Sequence, residues 1–118
     1  MKAVILLAHG SRDPLWRRPM EAVADRLRAA QPGARVGCAY LELEQPDLAA
    51  AVQQIAGQGT SELTVVPMFL GTGKHAREDL PRMVDALKGR YPNVRISLRQ
   101  PVGEDPRVLD LLAAIAGE

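Results

Sequence analysis

The chain lacks most features of secreted, membrane-spanning and nucleic-acid-binding proteins. Its 118 residues include a single cysteine, Cys38, so no disulfide can form within the chain and a reducing compartment is expected. Fifteen basic and 14 acidic residues leave a formal net charge of +1, which gives no bulk attraction for nucleic acid. No apolar run approaches the roughly 20 residues of a membrane-spanning helix. These absences predict a cytoplasmic protein that binds neither nucleic acid nor membrane.

Several catalytic signatures are also missing. The Gly-Thr-Gly-Lys run at 71–74 is not a phosphate-binding loop, because that pattern needs glycine at 68 and Ser or Thr at 75, where the chain has Met68 and His75. A histidine phosphatase typically has an arginine before its strand-end His-Gly, whereas residue 8 is alanine. No CxxC, HExxH, GxSxG or GxGxxG element occurs. The standard zinc, serine hydrolase and dinucleotide signatures therefore do not apply.

Short apolar runs alternate four times with helix-length segments, which is typical of a mostly parallel sheet covered by helices. The first and third apolar runs contain no alternating polar residues, which predicts central strands of the sheet. The last run alternates apolar and polar residues, which predicts an edge strand. The opening run is too short for a secretory signal and leads into no convincing cleavage site. The predicted strands are 3–8, 35–41, 62–68 and 94–98.

Helical spacing of apolar residues predicts a first helix over 14–31 and three more around 48–55, 80–91 and 108–115. Asp13-Pro14 and Asp105-Pro106 are typical of helix starts, and Gly57, Pro92 and Gly117 are typical of helix ends. Helical spacing also assigns Trp16, Met20 and Met83 to the core, with no chemical role. We expect one α/β domain over 1–118: a βαβαβαβα unit with right-handed crossovers, strand order 2-1-3-4, and helices on both faces.

In that order the first and third strands are neighbours, and ligands bind beyond the carboxyl ends of strands at such a switch point. The only two histidines, His9 and His75, follow these two strands. An unprotonated imidazole binds borderline metal ions or accepts a proton near neutral pH. Glu42 follows the second strand and is a candidate third ligand, with Glu44 competing for the role. Surface histidines and a solvated carboxylate are the alternative interpretation.

Polar residues next to the histidines also have two interpretations. Arg12, Lys74 and Arg77 form either a local basic mouth for a polyanionic ligand or a solvated helical face. Ser11 either contacts a ligand or satisfies backbone groups in its turn. The neighbouring glycines allow the backbone to approach a ligand closely.

Four segments, taken together and in this order, resemble the sirohydrochlorin cobaltochelatases of the short CbiX type. They are HGSRDP at 9–14, YLEL at 40–43, VPMFLGTGKH at 66–75 and PVGEDP at 101–106. The resemblance covers essentially the whole chain. It implies a chelatase-like domain and an ATP-independent class II chelatase acting on sirohydrochlorin, on the way to cobalamin or a related cofactor. Because longer relatives contain two such units, it also implies a homodimer.

The resemblance also implies roles for individual residues. His9 and His75 match the family's active-site histidines, which hold the metal and remove protons, and Glu42 matches an acidic residue near the metal. The substrate carboxylates are expected to contact Gly10, Ser11, Arg12, Gly73, Lys74 and Arg77. No cofactor is permanently bound, because the divalent metal is a substrate: Co²⁺ first, with Fe²⁺ (sirohaem) or Ni²⁺ as alternatives. The competing class is a non-catalytic flavodoxin-like ligand-binding module or tetrapyrrole carrier.

Overall fold

A computed structural model describes residues 1–118 and contains a four-stranded parallel sheet. Its strands are β1 (Lys2–Ala8), β2 (Arg35–Tyr40), β3 (Glu62–Pro67) and β4 (Arg95–Leu98). They lie in the order β2-β1-β3-β4, which confirms the predicted topology. Each strand differs from its predicted bounds by one residue at one end. The carboxyl ends of all four strands therefore meet at one edge of the sheet.

Four α-helices connect and follow the strands: α1 (Arg18–Ala30), α2 (Leu48–Ala56), α3 (Lys74–Arg90) and α4 (Pro106–Ala116). The prediction that the first helix begins at residue 14 is wrong, because Pro14–Arg17 forms a separate 3-10 turn. Pro19 lies in the first turn of α1, where its missing N–H is tolerated. A second 3-10 turn, Val102–Glu104, precedes α4.

The sheet separates two apolar layers. Side chains such as Ile5 and Val65 pack against α2 and α3 on one side, and Val4 and Leu6 pack towards α1 on the other. Every residue of β1 after Lys2 is buried, as expected for a central strand covered on both faces. In β4 only Ile96 is buried, as expected for an edge.

The last helix differs from the other three because none of its residues is buried. Within the chain, α4 packs mainly on the Val102–Glu104 turn. None of the helices combines the length and the apolar character needed to cross a bilayer.

Candidate functional site

The loops that leave the carboxyl ends of the strands are joined by backbone hydrogen bonds. The N–H of Glu42, after β2, donates to the carbonyl of His9, after β1, at 3.0 Å. The N–H of Gly103, after β4, donates to the carbonyl of Phe69, after β3, at 2.9 Å. The loops after β1 and β2, and those after β3 and β4, are therefore paired backbone to backbone.

His9 is held in place by its neighbours on both sides. Its imidazole stacks on the ring of Phe69, with centroids 4.2 Å apart and an interplanar angle of 25°. Phe69 is only 2% exposed and provides a fixed platform. The next residue, Gly10, has φ of +104°, and a Cβ there would lie 1.8 Å from the carbonyl oxygen of Glu42. Only glycine allows this approach of the two loops.

An open cleft of about 320 Å³ brings both histidines together. His75 is the second residue of α3, so the first turn of that helix faces the cleft. The cleft is lined by His9, Leu41, Glu42, His75, Ala76, Asp79, Leu80 and Met83. Asp79 is an addition to the predicted site. Its spacing of four residues from His75 on one helix was the signal in the sequence that could have identified it.

The three predicted metal ligands, His9, His75 and Glu42, line this cleft but do not converge. No three His, Cys, Asp or Glu side chains lie close enough to hold a metal ion together. All three are exposed and lie on different segments of the chain, and of the three only His9 stacks on a buried ring, that of Phe69. The arrangement supplies separate imidazoles and carboxylates and does not form a closed structural metal site.

Glu44, the competitor of Glu42, points away from the cleft. Its side chain is 5% exposed and its Oε2 lies 3.4 Å from Nη2 of Arg17. Neither carboxylate oxygen of Glu44 has a hydrogen-bond partner, so Arg17 is its charge partner. The Arg17 guanidinium also lies over the ring of Tyr40, 5.6 Å from the centroid. Burial raises the pKa of the Tyr40 hydroxyl. Glu44 therefore joins the β2 loop to the 3-10 turn, which leaves Glu42 as the carboxylate of the cleft.

Replacing Arg17 with leucine is expected to lower the free energy of unfolding by about 2 kcal/mol, because the buried carboxylate of Glu44 loses its charge partner. Urea denaturation would measure the change. Arg18→Leu is the matched control, since Arg18 is exposed and forms no ion pair. The double variant Arg17→Leu/Glu44→Leu should recover part of the loss. Equal stability of Arg17→Leu and Arg18→Leu would contradict the assignment.

A second cleft, of about 340 Å³, lies on the other side of His9 and is mostly apolar. Its lining consists of Ala8, His9, Leu15, Trp16, Pro19, Met20 and Met68. Leu15 is 56% exposed and Trp16 is 39% exposed, although the helical spacing assigned Trp16 to the core. That assignment is wrong because the 3-10 turn takes Trp16 off the inner face of α1. His9 thus lies between a cleft that carries imidazoles and carboxylates and a cleft that is mostly apolar.

The predicted substrate-binding residues are spread along the rim. Arg12 is exposed on the loop after β1, and Lys74 is exposed at the first position of α3, directly before His75. The Ser11 hydroxyl accepts a hydrogen bond from the N–H of Asp13 at 3.1 Å, so it already stabilises the turn in which it lies. Arg77 lines neither of the two clefts beside His9. It lines a smaller cleft together with Thr72 and Arg99. Gly73, directly before α3, has open space around it.

Comparison with known proteins shows similarity along almost the whole chain. The family model CbiX matches residues 3–118. A sirohydrochlorin cobaltochelatase from Sulfurisphaera tokodaii is 30% identical over 112 residues, covering 95% of this chain and 88% of its own. A solved CbiX protein from Marinobacter aquaeolei VT8 is 36% identical with a TM-score of 0.85, covering 99% of this chain and 95% of its own.

Other relatives are more than twice as long as the matched region. The sirohydrochlorin ferrochelatase of Bacillus subtilis is 31% identical over 92% of this chain but only 41% of its own. The chelatase SirB from Bacillus subtilis subspecies spizizenii, solved in complex with cobalt, is 30% identical with a TM-score of 0.79, covering 96% of this chain and 48% of its own. The chain thus spans less than half of these Bacillus relatives.

Proposed function

The chain belongs to the CbiX family, and from that premise we propose that it inserts a divalent metal ion into a sirohydrochlorin-type tetrapyrrole without using ATP. The observation that carries the proposal is the position of His9 between two clefts, one with Glu42 and His75 and one lined by apolar side chains. A tetrapyrrole needs both surfaces, because its ring faces are apolar and its metal is delivered by polar groups.

The chemistry of insertion requires a base and a loosely held metal. The incoming ion replaces two N–H protons of the macrocycle, so two protons must leave for each metal inserted. His9 and His75 accept protons and provide nitrogen ligands, and Glu42 provides an oxygen ligand. The open arrangement supports this role, because a site that held the ion as tightly as a structural zinc site would not release it.

The carboxylates of the macrocycle are anionic and need donors along the rim. Arg12 and Lys74 are free to form charge-assisted hydrogen bonds there, as are the backbone N–H groups near Gly10 and Gly73. Ser11 and Arg77 line neither of the two clefts beside His9. They therefore bind only a substrate carboxylate that extends beyond these clefts. Because a single unit encloses the substrate on one side only, we also propose a homodimer.

Cobalt is the metal we propose as physiological, in a cytoplasmic cobalamin-type pathway. Relatives that this chain covers almost end to end are named sirohydrochlorin cobaltochelatases, whereas those named ferrochelatases are more than twice its length. One long relative is also named a cobaltochelatase, so the greater length is not confined to the ferrochelatases. The free thiol of Cys38 supports a reducing compartment.

The test is an anaerobic assay with purified protein, sirohydrochlorin and Co²⁺, Fe²⁺ or Ni²⁺ in turn, following the absorption change of the macrocycle against a reaction without protein. Acceleration with Co²⁺ above the other two metals is the expected result. Macrocycle binding without acceleration would instead identify a carrier. No binding of the macrocycle would identify a module for a different ligand.

Replacing Glu42 with glutamine is expected to raise the KM for Co²⁺ about tenfold, equivalent to about 1.4 kcal/mol of lost metal affinity. The amide keeps the shape of the side chain but removes the charge that attracts the cation. Glu78→Gln is the matched control, because Glu78 is exposed on α3 but does not line the cleft. An unchanged KM in Glu42→Gln would remove this residue from the metal path.

A further inference from the structure

The loop after β2 contains a strained three-residue turn. The N–H of Glu44 donates to the carbonyl of Glu42 at 2.8 Å, which closes a turn over residues 42–44. Its central residue, Leu43, has φ of +66° in the left-handed region, and this form of the three-residue turn is rare and strained. We call residues 42–44 the β2 turn. Strain of this kind persists only where neighbouring contacts hold the backbone in place.

The contacts that hold the β2 turn lie on its two flanking residues. The side chain of Leu43 is 54% exposed, so its burial offsets little of the strain. The N–H of Glu42 donates to the carbonyl of His9 at 3.0 Å, which fixes the first residue of the turn. The side chain of Glu44 is only 5% exposed and lies beside Arg17, which fixes the last. The turn is therefore held by a backbone hydrogen bond at one end and by a buried carboxylate at the other.

The buried end of the β2 turn depends on a single charge partner. Nη2 of Arg17 lies 3.4 Å from Oε2 of Glu44, and neither carboxylate oxygen has a hydrogen-bond partner. The Nε of Arg17 is also buried without a hydrogen bond, and it lies 3.8 Å from Oε1 of Glu21. Apolar side chains of similar volume often stabilise a protein as well as such a buried ion pair does. The pair is therefore better explained by the conformation that it fixes than by stability alone.

We propose that Glu44, paired with Arg17, is a positioning residue that holds the strained β2 turn and thereby keeps Glu42 at the cleft of the two histidines. Leu43 is the one residue between the two carboxylates. A change of its φ to the negative region would therefore turn Glu42 relative to the anchored Glu44. The inference rests on the proposed function, in which Glu42 is the oxygen ligand of the incoming metal ion.

The first test is a double-mutant cycle on the affinity for Co²⁺, measured by calorimetric titration without macrocycle. Glu44→Gln is expected to raise the Kd for Co²⁺ about fivefold, because Glu42 is no longer held at the cleft. In a Glu42→Gln background the same substitution should change the Kd by less than about twofold, because no carboxylate remains to be positioned. An unchanged Kd in Glu44→Gln, or an equal factor in both backgrounds, would overturn the proposal.

Glu21→Gln is the matched control for this cycle. It also removes a carboxylate beside Arg17, but Glu21 is exposed on α1 and does not belong to the β2 turn. Its Kd for Co²⁺ should equal that of the unmodified protein. A rise as large as that in Glu44→Gln would mean that the negative charge near Arg17 attracts the cation from a distance, which would also overturn the positioning role.

The second test keeps the proposal falsifiable if Glu44→Gln fails to fold. The double variant Arg17→Leu/Glu44→Leu removes both buried charges and should recover part of the stability that Arg17→Leu loses, as urea denaturation would show. Its Kd for Co²⁺ should nevertheless stay about fivefold above that of the unmodified protein, because apolar packing does not anchor the turn in the same way. Recovery of the Co²⁺ affinity together with the stability would mean that the pair supports the fold only.

Both tests use Co²⁺ alone and do not depend on metal insertion. A protein that binds Co²⁺ as described but does not accelerate insertion into the macrocycle would contradict the proposed function and leave the positioning role of Glu44 standing. A protein that inserts the metal but shows independent effects of Glu42→Gln and Glu44→Gln would contradict only the positioning role.

Discussion

His9→Ala and His75→Ala are each expected to lower the rate of metal insertion by about 10²- to 10⁴-fold, the range that a positioned acid–base group contributes. Each substitution removes a nitrogen ligand and a proton acceptor from the same cleft. Initial rates would be measured with saturating macrocycle and Co²⁺, using the absorption of the product. His75 is exposed, so thermal unfolding of His75→Ala should change little, whereas His9→Ala also loses the stacking on Phe69.

The control for these variants must separate metal holding from proton removal. Titration with Co²⁺ in the absence of macrocycle measures ligation alone. A variant that still binds Co²⁺ but inserts it slowly identifies the base, and one that loses both identifies the ligand. Lys74→Ala removes a neighbouring cation of His75 and should affect macrocycle binding instead. Rates close to that of the unmodified protein for both histidine variants would refute the proposed chemistry.

The edge of the sheet at which the histidines lie could be predicted from the sequence because it follows from the strand order. Unbroken apolar runs mark β1 and β3 as central, and parallel connections bring their carboxyl ends to one edge. His9 follows β1 directly and His75 begins α3 after the loop from β3, and both line one cleft at this edge. The choice between Glu42 and Glu44 does not follow in this way. It depends on the local path of the loop after β2, where Leu43 adopts φ of +66° and sends the two carboxylates to different sides.

Helical spacing gave the right helices but could not tell what covers them. The stripe of α4 has the same periodicity as that of a core helix, yet none of its residues is buried. Trp16 also fits the spacing of α1, but the 3-10 turn before Pro19 moves it to the rim. Periodicity reports that a face is apolar. Whether that face meets the core, a substrate or a second copy is decided by the connections around it.

Gly10→Ala is expected to lower the free energy of unfolding by about 2–4 kcal/mol and to abolish most of the activity. The backbone at φ of +104° is strained for any residue with a Cβ, and that atom would lie 1.8 Å from the carbonyl oxygen of Glu42. The loops after β1 and β2 must then separate. Since those loops carry His9 and Glu42, one methyl group displaces two of the proposed site residues.

Gly73→Ala is the matched control for this substitution. Gly73 lies two residues before His75 on the same rim, but it has φ of −64° and no atom within 4 Å of an added Cβ. The free energy of unfolding of Gly73→Ala should stay within about 1 kcal/mol of that of the unmodified protein. Urea denaturation gives the stability of each variant, and Co²⁺ titration at low urea gives the affinity of the folded fraction. If Gly10→Ala loses stability but its folded fraction keeps full Co²⁺ affinity, the contact between the loops supports the fold only. Loss of both quantities means that the same contact also positions His9 and Glu42 for the metal.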